Sequence, residues 1–243
     1  MNDKTPLPYI SPEILSRNGY LEETVYPAQD INYYWSDRWD PAFYIHLARA
    51  GFITVAMDHE QLGPLLLPEL QTEYAVLDWK NLHISQHVQK IINRGSLEDQ
   101  GFVLAVGNDP VRVVPAIREQ FGEDNWLTKD YEKMLYSLCF FPCEESYFRL
   151  RVVELYEQGE LVAGEIGYTM GKVYTSLTGF SSREREHRNR GTLQLVLLAR
   201  YLKKEGYAFW NLGHPFMEYK TRIGAKIISR NNFIERWSSS LSQ

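Results

Sequence analysis

The stretch from residue 147 to residue 179, YFRLRVVELYEQGELVAGEIGYTMGKVYTSLTG, decides the fold class. It contains apolar runs rich in β-branched and aromatic residues, and Gln158-Gly159 has the composition of a tight turn. We therefore predict three consecutive strands, of which the first two form an antiparallel pair. The predicted strands are residues 147–156, 161–169 and 172–179.

Helical and extended patterns alternate on both sides of this stretch. The clearest helix spans residues 192–204, where leucine and valine recur at helical spacing and two lysines stand at the carboxyl end. Asp40 and Pro41 predict the cap and first residue of an earlier helix. Residues 62–70 are predicted as a connection, because prolines interrupt the apolar pattern. The other predicted strands are residues 52–57, 73–77, 102–106 and 208–211, and the other helices are residues 85–93, 110–121, 129–138 and 218–223.

These elements predict an α+β protein with two parts. We expect a small amino-terminal α/β domain over residues 1–95 and a larger domain over residues 96–243. The larger domain should contain a mixed sheet with helices on both faces. No linker-like composition marks the boundary, so the two parts are expected to pack closely.

The composition excludes several classes of protein. The 243 residues are 44% apolar, with 6 Trp, 16 Tyr and 11 Phe, which is too much apolar surface for a disordered chain. No apolar run approaches the ~20 residues of a membrane helix. The first residues lack the pattern of a secretory signal. The only cysteines, Cys139 and Cys143, indicate a reducing compartment and are predicted to be two buried thiols rather than a metal site. We expect a cytoplasmic protein with no membrane association.

Charge is unevenly distributed along the chain. The net charge is -5, yet residues 181–243 hold 12 Lys/Arg against 5 Asp/Glu. A basic turn, Arg188-Asn189-Arg190-Gly191-Thr192, precedes the long helix, where backbone N–H groups and the helix dipole attract anions. We predict phosphate or tRNA contacts from this turn, and the alternative is a plain capping loop. The same prediction covers Lys220 and Arg222, for which a solvated helix face is the alternative.

Six segments in the same order resemble those of one known family. They are residues 40–52, 75–85 (AVLDWKNLHIS), 125–128 (NWLT), 159–167 (GELVAGEIG), 173–181 (VYTSLTGFS) and 223–230 (IGAKIISR). Together they resemble the leucyl/phenylalanyl-tRNA–protein transferase family over residues 35–237. No nucleotide-binding G-x-x-x-x-G-K-[ST] loop and no G-x-S-x-G nucleophile elbow occurs.

The resemblance implies a GNAT-like second domain, as in the acyl-CoA N-acyltransferases. It implies transfer of Leu or Phe from aminoacyl-tRNA to the amino-terminal Arg or Lys of a protein or peptide, which tags that protein for degradation. It also implies that the enzyme uses no metal and no coenzyme. The reaction is aminolysis of an ester, which requires a group that accepts a proton from the attacking amine and donors that stabilise the oxyanion.

The catalytic segment departs from the family pattern. The position of the family's Asp-Cys-Gln falls on residues 212–214, or on Asn211 after a shift of one, and the family's glutamate falls on Leu177. His214 is our candidate proton acceptor, and a hydrogen-bonded turn histidine is the alternative. Glu165 is a second candidate base if it is buried, and alternation does not show which way it faces. Asn211 is a candidate oxyanion donor, although such a residue often simply ends a strand.

Three further residues are predicted to bind substrate. Trp126 could stack on the terminal adenine of tRNA, or it could be a core tryptophan. Tyr174 and Ser176 lie in the family-like strand over residues 173–181. We expect Glu165, His214 and the turn at Gly191 to open into one cleft. Two alternatives remain open, namely an acyl-CoA enzyme that holds the pyrophosphate at this turn, and a non-catalytic relative that binds tRNA or protein amino termini.

Overall fold

The computed structural model describes residues 7–122, 125–142 and 147–241. Over these residues the chain alternates between strands and helices. The strands are β1 Ile53–His59, β2 Gly63–Glu69, β3 Glu73–Leu77, β4 Phe102–Gly107, β5 Arg149–Glu157, β6 Glu160–Met170, β7 Val173–Ser181, β8 Phe209–Asn211 and β9 Lys226–Ser229. The α-helices are α1 Pro12–Leu15, α2 Pro41–Arg49, α3 Gln86–Ile92, α4 Val113–Phe121, α5 Lys129–Phe140, α6 Arg190–Lys204, α7 Glu218–Arg222 and α8 Arg230–Leu241.

Seven strands form one sheet in the order β4-β5-β6-β7-β8-β3-β9. The predicted three-strand stretch forms its centre as an antiparallel meander, β5-β6-β7. Strands β7 and β8 are parallel, and helix α6 makes the crossover that a parallel pair requires. All other pairs are antiparallel.

Helices cover both faces of this sheet. On one face, Ile166 and Tyr168 of β6 belong to a core that includes residues of α4, α5 and α8. On the other face, Val153 and Tyr174 pack against α6. Because side chains alternate along a strand, β5 contributes to both cores, with Val152 in the first and Val153 in the second. The predicted fold class, a mixed sheet with helices on both faces, is confirmed.

The prediction that residues 62–70 form a connection is wrong, because they contain β2, which pairs antiparallel with β1. The prolines do not disturb this pairing. Leu66 N–H donates to Ser36 O, so the backbone N–H groups at the even positions of β2 point away from β1. Pro64 and Pro68 occupy even positions, where the β1 ladder needs no N–H donor.

Arg230 fastens the amino-terminal segment to the rest of the chain. Its side chain is fully buried and donates to four backbone carbonyls and one amide oxygen. The acceptors are Ala28 O, Ile31 O, Leu70 O, Gln71 O and Asn32 Oδ1. All three guanidinium nitrogens donate, and Nη2 alone is within hydrogen-bond distance of three acceptors.

The division into domains at residue 95 stays a prediction, and β3 from the first segment lies within the seven-stranded sheet.

Among the described residues, no helix combines the length and apolar character needed to cross a membrane. Cys139 is partly buried on α5 and its thiol donates to Leu135 O at 3.1 Å. Cys143 lies outside the described residues.

Candidate active site

Glu165 is a buried carboxylate on β6, with 5% of its surface exposed. Its Oε1 accepts hydrogen bonds from the hydroxyls of Tyr174 at 2.7 Å and Ser176 at 2.9 Å. Its Oε2 accepts from Gln194 Nε2 of α6 at 3.1 Å. Burial raises the pKa of Glu165, and these three hydrogen bonds oppose that rise. The side chain therefore faces the α6 side of the sheet, a question that alternation left open.

A β-bulge shapes the strand beside this carboxylate. Ile166 pairs with Thr178 while Gly167 pairs with Ser176, so Leu177 is an extra residue in β7. Leu177, which occupies the position of the family's glutamate, packs against the apolar core of the opposite face. Gly167 is required here because a Cβ atom would lie 2.4 Å from Thr175 O.

Lys220 is the second buried charge of the site. Only 4% of its surface is exposed, and its Nζ donates to His214 O at 2.7 Å. Burial lowers the pKa of Lys220 to about 8, against the opposing charges of Glu69 and Glu165. The lysine therefore joins α7 to the loop that follows β8, within electrostatic range of two carboxylates. Its burial is unlike the solvated helix face that was the alternative in the sequence analysis, and the phosphate contact of Lys220 stays a prediction.

His214 lies in this loop, directly after Gly213. Burial and the charge of Lys220 lower the pKa of its imidazole, so the ring is neutral at pH 7 and can accept a proton. Nδ1 is buried without a hydrogen-bond partner among the described residues, and the Phe216 ring lies 5.5 Å from the imidazole. Within the described part of the chain, the Nδ1 atom of His214 thus lacks the hydrogen bond that an ordinary turn histidine would make.

Glu69 is a site residue that the sequence analysis missed. It ends β2, is partly buried, and accepts hydrogen bonds from Tyr33 and from Gln71 Nε2, the latter at 3.2 Å. Burial raises the pKa of Glu69, and the charge of Lys220 opposes this rise. In the sequence, the one feature that could have indicated Glu69 as a site residue is that it is the lone carboxylate in the apolar run LLLPEL over residues 65–70. Gln194, on the inner side of α6, was missed in the same way.

The basic turn lines a cavity of about 380 Å³ at the amino end of α6. Asn189 precedes the helix in a left-handed conformation and provides no side-chain cap. Arg183, Arg185 and Arg188 are exposed around the cavity, which is lined by residues from Ser181 to Thr192. Gly191 permits close approach to β7, because a Cβ there would lie 2.9 Å from the Cβ of Ser181. The cavity combines exposed arginines with the amino end of a helix, and the binding of an anion there stays a prediction.

Four predicted site residues have structural partners. Arg190 pairs with Glu157 and lies over the Phe102 ring, and Arg222 pairs with Glu218 at the surface. Asn211 is buried, with Oδ1 accepting from Gly213 N at 2.9 Å and Nδ2 lying 3.4 Å from Thr175 Oγ1. Trp126 packs edge to face on Tyr131 in the α4–α5 core, opposite the face that Glu165 occupies.

The structure brings Glu165, Tyr174 and Ser176 together, and connects them to His214 through Lys220. Gln194, one turn after Gly191, links them to α6. The cavity at the turn is lined by residues 181–192, and these do not include Glu165 or His214. The expectation that Glu165, His214 and the turn at Gly191 open into one cleft is not met by this cavity, because neither Glu165 nor His214 lines it and Glu165 lies in a buried polar network.

A possible metal-ligand group lies beside the cavity. The ligand atoms of Glu160, Glu184 and His187 lie within 4.8 Å of one another. Both carboxylates are exposed, and His187 Nδ1 is 2.9 Å from Ser182 Oγ, so one ring nitrogen already has a partner. The expectation that the protein uses no metal stays a prediction.

Two curated proteins resemble this chain over about two thirds of their length. The leucyl/phenylalanyl-tRNA–protein transferase of Pseudomonas entomophila (strain L48) is 26% identical over 172 residues, which is 69% of this chain and 68% of that protein. That of Pseudomonas fluorescens (strain Pf0-1) is 23% identical over 171 residues, 67% of this chain and 66% of that protein.

Among solved structures, FemX matches with a TM-score of 0.47 and 12% identity, over 84% of this chain and 71% of that chain. The C-terminal domain of a lysylphosphatidylglycerol synthetase from Agrobacterium fabrum matches with a TM-score of 0.40 and 16% identity, over 76% and 62%. The family model of the leucyl/phenylalanyl-tRNA protein transferases matches residues 76–238, which is most of the chain. The predicted family is confirmed: this chain belongs to the leucyl/phenylalanyl-tRNA protein transferase family.

Proposed function

We propose that the protein transfers a leucyl- or phenylalanyl-like residue from aminoacyl-tRNA to the amino-terminal amine of a protein or peptide. The observation that carries this proposal is the family match over residues 76–238, which includes Glu165, His214 and Lys220. As in the family, the product would be marked for degradation. The charged tRNA would restrict the reaction to the cytoplasm, and no coenzyme would be required.

The chemistry is the aminolysis of an ester. The neutral α-amine of the acceptor attacks the carbonyl carbon of the aminoacyl ester and a C–N bond forms. His214 accepts the proton that the amine releases, since the lowered pKa of the imidazole keeps it neutral at pH 7. The C–O ester bond then breaks, and the ribose oxygen of tRNA takes up that proton as it leaves.

The buried network would hold His214 in position for this step. Lys220 holds the backbone of the loop at His214 O, and its charge disfavours premature protonation of the imidazole. Glu165 lies within electrostatic range of Lys220 and is itself held by Tyr174, Ser176 and Gln194. We assign Glu165 and Lys220 positioning roles, and Tyr174 and Ser176 support the carboxylate. Asn211 remains a proposed oxyanion donor, and Trp126 a proposed contact of the tRNA terminus.

The arginine-lined cavity is the proposed phosphate contact of the tRNA. Arg188, Gly191 and Thr192 line it, and Arg185 adds a further exposed charge. Arg190 is paired with Glu157 and Arg222 with Glu218, so both would need to exchange partners to bind phosphate. The same cavity fits the diphosphate of an acyl-CoA donor, which remains the alternative donor.

A transfer assay tests the proposal. Radiolabelled Leu or Phe on tRNA should be transferred to a peptide that begins with Arg or Lys, and His214→Asn should reduce the rate by about 10²-fold or more. Absence of transfer from any charged tRNA would refute the proposal. Binding of tRNA without turnover, unchanged in His214→Asn, would indicate the non-catalytic alternative. Stabilisation of the fold by CoA or acetyl-CoA would indicate the coenzyme-dependent alternative.

A further inference from the structure

The buried network contains two carboxyl groups and one amine, those of Glu69, Glu165 and Lys220. Glu69 and Glu165 both interact with Lys220, so the three side chains carry a formal charge of -1 when all are ionised. Within the described part of the chain, Lys220 forms no ion pair with either carboxylate within 4.0 Å. Arg230 lies nearby but donates to backbone carbonyls and to Asn32, including the carbonyl of Gln71. A surplus carboxylate in a partly buried network favours the binding of either a proton or an additional cation.

The surplus hydrogen-bond acceptors lie in the part of the buried network that contains Glu69. Glu165 already has three donors, whereas Gln71, with 4% of its surface exposed, has an Oε1 atom without a partner among the described residues. The Glu69 carboxylate needs a donor, which fixes the Gln71 amide with Nε2 toward Glu69 and leaves Oε1 unsatisfied. An unpaired buried acceptor costs about 1–3 kcal/mol, which a donor ligand would recover.

This acceptor pair adjoins both solvent and the reaction centre. Tyr33, which donates to Glu69, is 38% exposed and marks the outer edge. On the inner side, a Cβ atom on Gly213 would lie 3.9 Å from Gln71 Nε2, and the next residue is His214. A group bound at Glu69 and Gln71 would therefore lie beside the loop that carries the proposed proton acceptor.

We propose that Glu69 and Gln71 form a subsite for an organic cation, an alkylammonium or a guanidinium group. This inference rests on the proposed function. The cation could come from the basic side chain of the acceptor's first residue or from an α-ammonium group. Its N–H groups would bond to the Glu69 carboxylate and to Gln71 Oε1, and its charge would balance the network.

Calorimetric titration with three peptides tests the subsite and identifies the source of the cation. The peptides share one sequence and begin with Lys, with norleucine, or with Nα-acetyl-Lys. If the side chain occupies the subsite, the norleucine peptide should bind the wild-type protein about tenfold more weakly than the Lys peptide. If an α-ammonium occupies it, the acetylated peptide should show this loss instead. In either case, Glu69→Gln should reduce the difference to less than about twofold.

Glu73→Gln is the matched control, because Glu73 is an exposed carboxylate at the start of the neighbouring strand β3. It should bind all three peptides as the wild type does. Gln71→Met provides a second variant that removes Oε1 and leaves both carboxylates in place. The subsite is refuted if Glu69→Gln binds all three peptides as the wild type does, or loses the same factor for all three.

The transfer assay keeps this inference separate from the proposed function. If the protein transfers the amino acid from tRNA, and Glu69→Gln changes neither peptide binding nor the transfer rate, the subsite is refuted and the proposed function stands. A cation preference that Glu69→Gln abolishes, in a protein that transfers nothing from tRNA, would support the subsite and refute the function.

Discussion

Lys220 should make the stability of the folded chain depend on pH in the alkaline range. Burial lowers the pKa of Lys220 from 10.5 to about 8. Below pH 8 the ammonium is protonated in both the folded and the unfolded chain, so folding includes the whole cost of burying it. Between pH 8 and 10.5 the unfolded chain binds more protons than the folded chain, and stability therefore rises with pH. At 1.36 kcal/mol for each pKa unit, the total rise is about 3 kcal/mol.

Urea unfolding of the wild type and of Lys220→Met, measured from pH 7 to pH 10, checks this prediction. The methionine side chain has a similar size but does not titrate, so the difference in unfolding free energy between the two proteins should change by most of that 3 kcal/mol. Lys226→Met is the control, because Lys226 is exposed on β9 and should leave the pH dependence unchanged. Parallel pH profiles for the wild type and Lys220→Met would show that the burial argument is wrong.

Three further substitutions test other parts of the structure. Arg230→Met should lower the unfolding free energy by about 3–5 kcal/mol in denaturant titrations, because two buried and three part-buried acceptors lose their donor; a loss under 1 kcal/mol would contradict this. Gly167→Ala should cost about 1–3 kcal/mol by thermal unfolding, since its Cβ would overlap Thr175 O. Arg188→Ala should weaken tRNA binding and lower its salt dependence in filter-binding assays, whereas equal binding at every salt concentration would exclude this contact.

The local patterns predicted most of the elements. The meander over residues 147–179 appears as β5, β6 and β7, and Asp40 caps α2 by accepting from Phe43 N. The helix predicted from residue 192 begins at Arg190, because the turn itself supplies its first residues. The missed strand β2 shows the limit of the approach. Its prolines suggest a break, and only the direction of its N–H groups relative to β1 shows that they are compatible with pairing.

The candidate site was predictable only in part. Glu165 was identified in the segment over residues 159–167, and Tyr174 and Ser176 were identified in the segment over residues 173–181; the three form one hydrogen-bonded cluster. Glu69 and Gln194 were not identified, because they reach Lys220 and Glu165 from elements far away in the chain. The ion-pair partner of a charged side chain also cannot be predicted from the local sequence pattern. Arg190 reads as a phosphate ligand until Glu157 is placed beside it by β5.

The sequence by itself determined the family, the order of the elements and the basic turn before α6, because apolar periodicity, capping residues and colinear motifs are properties of neighbouring residues. Only the tertiary structure decided which way Glu165 faces, and that Lys220 is buried and interacts with the charges of two carboxylates. The physical reason is that burial and charge coupling depend on distances between β2, β6 and α7. Those distances arise only when the chain has folded.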